Sequence, residues 1–104
     1  AVGNYALGAN ITGTFNTAVG HYAGRLLTGD NNIDIGNEGV AGESGTIRIG
    51  GPFQDRTFIA GIRGVTPGVA NALPVVIDSN GAVGSRKLGA LKPQDIAAWT
   101  TSIR

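Results

Sequence analysis

The chain has 104 residues, a formal net charge of +1 and only 14% charged side chains, so it carries no basic stripe for nucleic acid and no charge run of a solvated tail. It has no cysteine, which excludes disulfides and thiolate metal sites, and no apolar run approaches the roughly 20 residues that cross a bilayer. Glycine supplies 18 residues and aromatics 6%, so the 41% apolar content rests on small and β-branched side chains, which suit thin stacked layers better than a thick core.

Repeats dominate the first half. An apolar or small pair followed by glycine recurs as Ala1-Val2-Gly3, Ala18-Val19-Gly20, Asp34-Ile35-Gly36, Arg48-Ile49-Gly50 and Ile59-Ala60-Gly61, at offsets of 17, 16, 14 and 11 residues. The first two copies also share a tyrosine, the alanine after it and a Thr-Gly before the next copy. The chain opens in the middle of this pattern, so a processed product or a piece of a longer protein is expected. Each copy alternates with period two: Thr17 and Val19 flank Ala18, Ile33 and Ile35 flank Asp34, and Ile47 and Ile49 flank Arg48. That is the mark of a strand with one buried face, and the glycine after it supplies the turn. Repeats of 14 to 17 residues hold two short strands and two tight turns, so stacked parallel coils about 4.8 Å apart are expected. In that register Asp34 meets Arg48 on the outer column, an attraction of about 0.2–1 kcal/mol, and Asn16 stacks on Asn32 as an amide ladder.

The pattern then changes. Residues 56–65 are strand-like but broken by Gly61 and Gly64, and residues 73–84 read as a strand, a Ser79-Asn80-Gly81 turn and a short return, a hairpin signal. After Gly89, Pro93 suits a first helical position and Asp95 a first turn. Ile96, Trp99 and Ile103 follow at spacings of three and four, a seam too narrow for a helix in a single-chain globule and suited to a coiled coil. The expected organisation is therefore mainly β: β-roll coils over residues 1–57, a hairpin transition or cap over 58–87, and a helical neck over 88–104 whose trimer contacts are Ile96, Trp99 and Ile103. One chain of thin coils leaves apolar faces and strand edges uncovered, so an intertwined homotrimer is expected.

Motifs for chemistry fall short. Asp30-Asn31-Asn32-Ile33-Asp34 places oxygens at alternate positions, yet the sixth and twelfth positions of a calcium loop are here Ile35 and Ala41 instead of glycine and glutamate. Gly42-Glu43-Ser44-Gly45 is one residue short of a nucleophile elbow, and His21, the one histidine, has no acid beside it in the repeat. No catalytic residue, cofactor site or metal site is expected. Tyr5 and Tyr22, one repeat apart, and His21 beside them are candidates for receptor or glycan contact, against the plainer reading that the rings fill gaps between coils or subunits. Arg25, Arg56 and Arg63 are read as solvated or paired between subunits before any acidic glycan.

The segments "AVGNYALG" and "NTAVGHYA" resemble the head repeats of trimeric autotransporter adhesins. The run from Gly29 to Gly50, with "RTFIAGIRGV" and "PVVIDSNGAVG" after it, is similar to a module of bacterial surface proteins and phage tail-fibre-like proteins, often placed ahead of an intramolecular chaperone domain. The likeness covers roughly residues 1–84; "RKLGALKPQDIAAWTTSIR" departs from it, so self-cleavage does not carry over. The resemblance implies a homotrimeric β-roll or β-prism outside the cell, at the cell surface or on a virion fibre. It implies an adhesive or fibre function, with a host receptor, glycan or matrix protein as partner. The expectation is thus a non-enzymatic structural or adhesive module. The alternatives are a self-assembling extracellular filament subunit and a tail-fibre or tail-spike fragment. Nucleic acid and membrane insertion of this segment are not expected.

Overall fold

A computed structural model describes residues 1–85. Their regular structure is all strand, with no helix among the described residues. The chain divides into two compact units, Ala1–Ile59 and Ala60–Arg104. The helical neck expected over 88–104, with Ile96, Trp99 and Ile103, lies outside the described residues.

In the first unit β1 (Thr17–Val19), β2 (Ile33–Ile35) and β3 (Ile47–Ile49) form one parallel sheet in chain order. Thr17, Ile33 and Ile47 are in register, as are Ala18, Asp34 and Arg48, and Val19, Ile35 and Ile49. Val2 adds a single parallel bridge to Val19. Partners therefore stand 17, 16 and 14 residues apart, the offsets at which the glycine-ended triplets recur. The glycines continue the ladder past each strand: Gly20 donates its N–H to Val2, Gly36 to Val19 and Gly50 to Ile35, at 2.7, 2.9 and 2.8 Å.

Two details differ from the sequence expectation. Each repeat holds one strand, and the rest is turn. The turns still bond to their neighbours, as Tyr22 N–H does to Asn4 and Leu26 N–H to Glu38. The faces are also reversed. Ala18 and Asp34 are buried, Arg48 is half-buried, and the flanking Val19, Ile33, Ile35, Ile47 and Ile49 are exposed, from 37% at Ile33 to 73% at Ile49. Asp34 and Arg48 are aligned as expected, but on the inner column. The reason is room. Among the described residues the interior holds only Ala18, Ala23 and Leu27 as buried apolar side chains, and close backbone approach leaves no space for a row of isoleucines. At Gly39, which holds a φ of +78°, an added Cβ would run into the Asp34 carboxylate and Leu27.

In the second unit β4 (Val76–Ile77) and β5 (Val83–Gly84) pair antiparallel. The Asp78 carboxylate accepts the N–H groups of Asn80 and Ala82, both at 2.9 Å, and Gly81 takes a φ of +85°. The Asn-Gly signal thus closes a hairpin, through an aspartate-held loop. Residues 56–65, read from the sequence as strand-like, form no strand, and Ile59-Ala60-Gly61 joins no ladder among the described residues. Phe58, Ile59, Ile62 and Val65 there are all exposed.

Candidate functional site

Two clusters collect the polar and aromatic chemistry of the first unit. The inner one starts from an amide ladder. Asn16 Oδ1 accepts from the backbone N–H of Asn32 at 2.9 Å and from Asn32 Nδ2 at 3.1 Å. Asn32 Nδ2 also donates to the carbonyl of Glu43 at 2.9 Å, and its Oδ1 accepts the N–H of Thr46 at 3.1 Å. Asn16 Nδ2 closes the lower end on the carbonyl of Gly29 at 2.7 Å. A fully buried Asn32 is tolerable because donors and acceptor are all spent, as a buried amide requires.

Beside the ladder lies a charged trio. Arg48 grips Glu43 with two nitrogens, Nε to Oε1 at 2.9 Å and Nη2 to Oε2 at 2.8 Å, the fork geometry that makes such pairs strong. Those hydrogen bonds hold the Glu43 carboxyl below its ordinary range. Asp34, in register with Arg48, is fully buried and neither of its oxygens has a hydrogen-bond partner. Burial, and secondarily the Glu43 charge, push its carboxyl up against the opposing pull of Arg48. The Glu43–Arg48 grip was not legible in the sequence, because the five-residue step crosses a turn whose path is set by the stacking.

The sequence-nominated loop residues are placed apart in role. Asp30 Oδ1 accepts from the backbone and hydroxyl of Thr14 at 2.7 and 3.2 Å, whereas Asp34 is sealed against Leu27 and Gly39. Among the described residues no three His, Asp or Glu side chains gather as a metal site. Ser44 Oγ accepts the N–H of Asp30 at 3.0 Å, and His21 lies on Tyr22 with ring centres 3.9 Å apart. Serine and histidine thus face different neighbours.

The outer cluster brings together the three residues nominated for contact. Tyr5 and Tyr22 lie with centroids 5.4 Å apart, tilted by 36°. Arg25 sits 5.2 Å over the Tyr22 ring and its Nε lies 3.1 Å from Glu38 Oε1; the Glu38 hydrogen bond and charge raise the Arg25 pKa further. Sequence reasoning had placed Arg25 among solvated or intersubunit charges, and had not singled out Glu38. Its signal was positional: Glu38 follows Tyr22 by 16 residues, the step that carries β1 onto β2. Both tyrosines hold left-handed backbone, φ 60° at Tyr5 and 59° at Tyr22. That conformation costs roughly 1–2 kcal/mol per residue, and the ring pair returns about 0.5–1.5 kcal/mol. Burial does not close the difference, with Tyr5 64% and Tyr22 38% exposed.

Comparison of the chain with protein-family models, with curated proteins and with solved structures finds no match.

Proposed function

We propose that this chain is a non-enzymatic structural or adhesive module, a stacked β-roll that works as a homotrimer in an extracellular adhesin or fibre. The observation that carries the reading is the reversed sheet. Val19, Ile33, Ile35, Ile47 and Ile49 stand in two ordered rows on the open side of β1–β3, while the inner row is Ala18, Asp34 and Arg48. Soluble monomers rarely leave contiguous aliphatic rows uncovered. Covering five such side chains contributes about 1–2 kcal/mol each, or about 5–10 kcal/mol per chain. That is the scale needed to offset the cost of association. In-register parallel pairing at steps of 17, 16 and 14 residues supports stacked coils, and residues 88–104 would supply the helical neck. What supports a non-enzymatic role is that Ser44, Glu43 and His21 spend their contacts on Asp30, Arg48 and Tyr22.

Light scattering in dilute solution tests this. The native chain is expected at the mass of three chains, and a doubly substituted Ile35→Asp, Ile49→Asp chain at the mass of one. A native particle of one chain, monodisperse and folded, overturns the proposal; polydisperse growth replaces it with a filament.

A further inference from the structure

We propose that the edge made by Tyr5, Tyr22, Arg25 and Glu38 binds a neutral pyranose. This goes a step past the adhesive role above and rests on it. Tyr22 is braced by His21 at 3.9 Å and by the Arg25 guanidinium at 5.2 Å, and it holds Tyr5, whose ring is the more exposed of the two. Both rings sit on turn segments that follow the glycines, off the β1–β3 rows. Left-handed backbone at two exposed tyrosines, a place where glycine or asparagine fits at lower cost, is strain kept without burial, and such strain points to use. Phe15 shares the backbone conformation and is more exposed still, but among the described residues it is flanked by no ion pair.

The ion pair selects the ligand class. A pyranose presents a face of polarised C–H groups that stacks on the electron-rich face of an aromatic ring, and a rim of hydroxyls that each need a donor or an acceptor. Glu38 supplies acceptors and Arg25 donors, side by side at 3.1 Å. Their charges cancel, so the site favours an uncharged sugar over an acidic one. An open edge of this kind binds weakly alone, and display on several copies multiplies its effect.

The test uses the full chain with labelled tyrosine rings, titrated in NMR with methyl β-galactopyranoside and methyl β-glucopyranoside. Ring signals of Tyr5 and Tyr22 are expected to shift. Tyr5→Ala is expected to weaken binding about tenfold or more, by the measure of other aromatic stacking platforms, and Tyr5→Phe to retain it. Should Tyr5→Ala lose the protected amides of β1–β3, Glu38→Gln takes its place and is expected to weaken binding as well. Unmoved tyrosines at saturating glycoside overturn the site, as does a shift with a sialoside alone, or a Tyr5→Ala chain that keeps its sheet but falls in mass, which would make the ring a contact between copies. Light scattering on the same sample separates the two proposals. A three-chain particle with unmoved rings removes the sugar site only, and a one-chain particle with shifted rings removes the trimer only.

Discussion

Asp34 occupies the position that Ala18 fills one repeat earlier, and the exchange of a methyl for a carboxyl makes this the most pH-sensitive point of the interior. The folded state holds the Asp34 proton more tightly than the unfolded chain does, because burial penalises the carboxylate. This group therefore favours folding at low pH, and that contribution disappears as pH rises through its folded value. Glu43 acts in the opposite sense. Arg48 holds it ionised, so its contribution is present above the ordinary carboxylate range and is lost as pH falls through the folded value. Replacing Asp34 with asparagine removes the first effect and leaves the second. In urea unfolding, Asp34→Asn is expected to gain on the native chain steadily between about pH 3 and pH 7; a constant difference over that range would refute the assignment.

At the scale of elements, three-residue strands are too short to stand by themselves, since isolated pairs of strands are marginal even when longer. What joins them is the amide ladder between repeats. Asn32→Ala would orphan the Thr46 N–H, the Glu43 carbonyl and the Asn16 Oδ1 together, at about 1–3 kcal/mol for each buried group left without a partner. We expect a loss of roughly 3 kcal/mol or more in chemical denaturation. Asn16→Ala, at the more exposed end of the ladder, should cost less. Equal, small losses from both would mean that water replaces the ladder freely. The ladder itself was legible: Asn16 and Asn32 precede equivalent strands by one residue. The loop that Asn32 ties down, from Val40 to Glu43, was not.

For the whole molecule, an interior of Ala18, Ala23 and Leu27 is small against the conformational entropy of ordering a chain of this length, about 1–2 kcal/mol per residue. If copies cover the isoleucine rows, folding and association are one reaction, and stability depends on concentration. The midpoint of thermal unfolding is accordingly expected to rise over a hundredfold increase in protein concentration. A midpoint that stays put, from calorimetry across that range, would separate folding from assembly.

The sequence by itself determined the rungs. The glycine-ended triplets marked β1, β2 and β3 and their pairing partners, because a parallel ladder between equivalent positions needs only equal spacing and a turn. It also marked the hairpin at Ser79-Asn80-Gly81, since turn chemistry is local. Which side of each strand faces inward was decided only in three dimensions. Period two names two faces without ranking them, and the apolar one was taken for the core. The narrow gap behind the sheet accepts alanine, an aspartate and the stem of an arginine, and it turns the branched side chains out. Likewise Tyr5, His21 and Tyr22 were legible as neighbours, but their union with Arg25 and Glu38 depends on how successive turns overlie one another, which no spacing in the chain specifies.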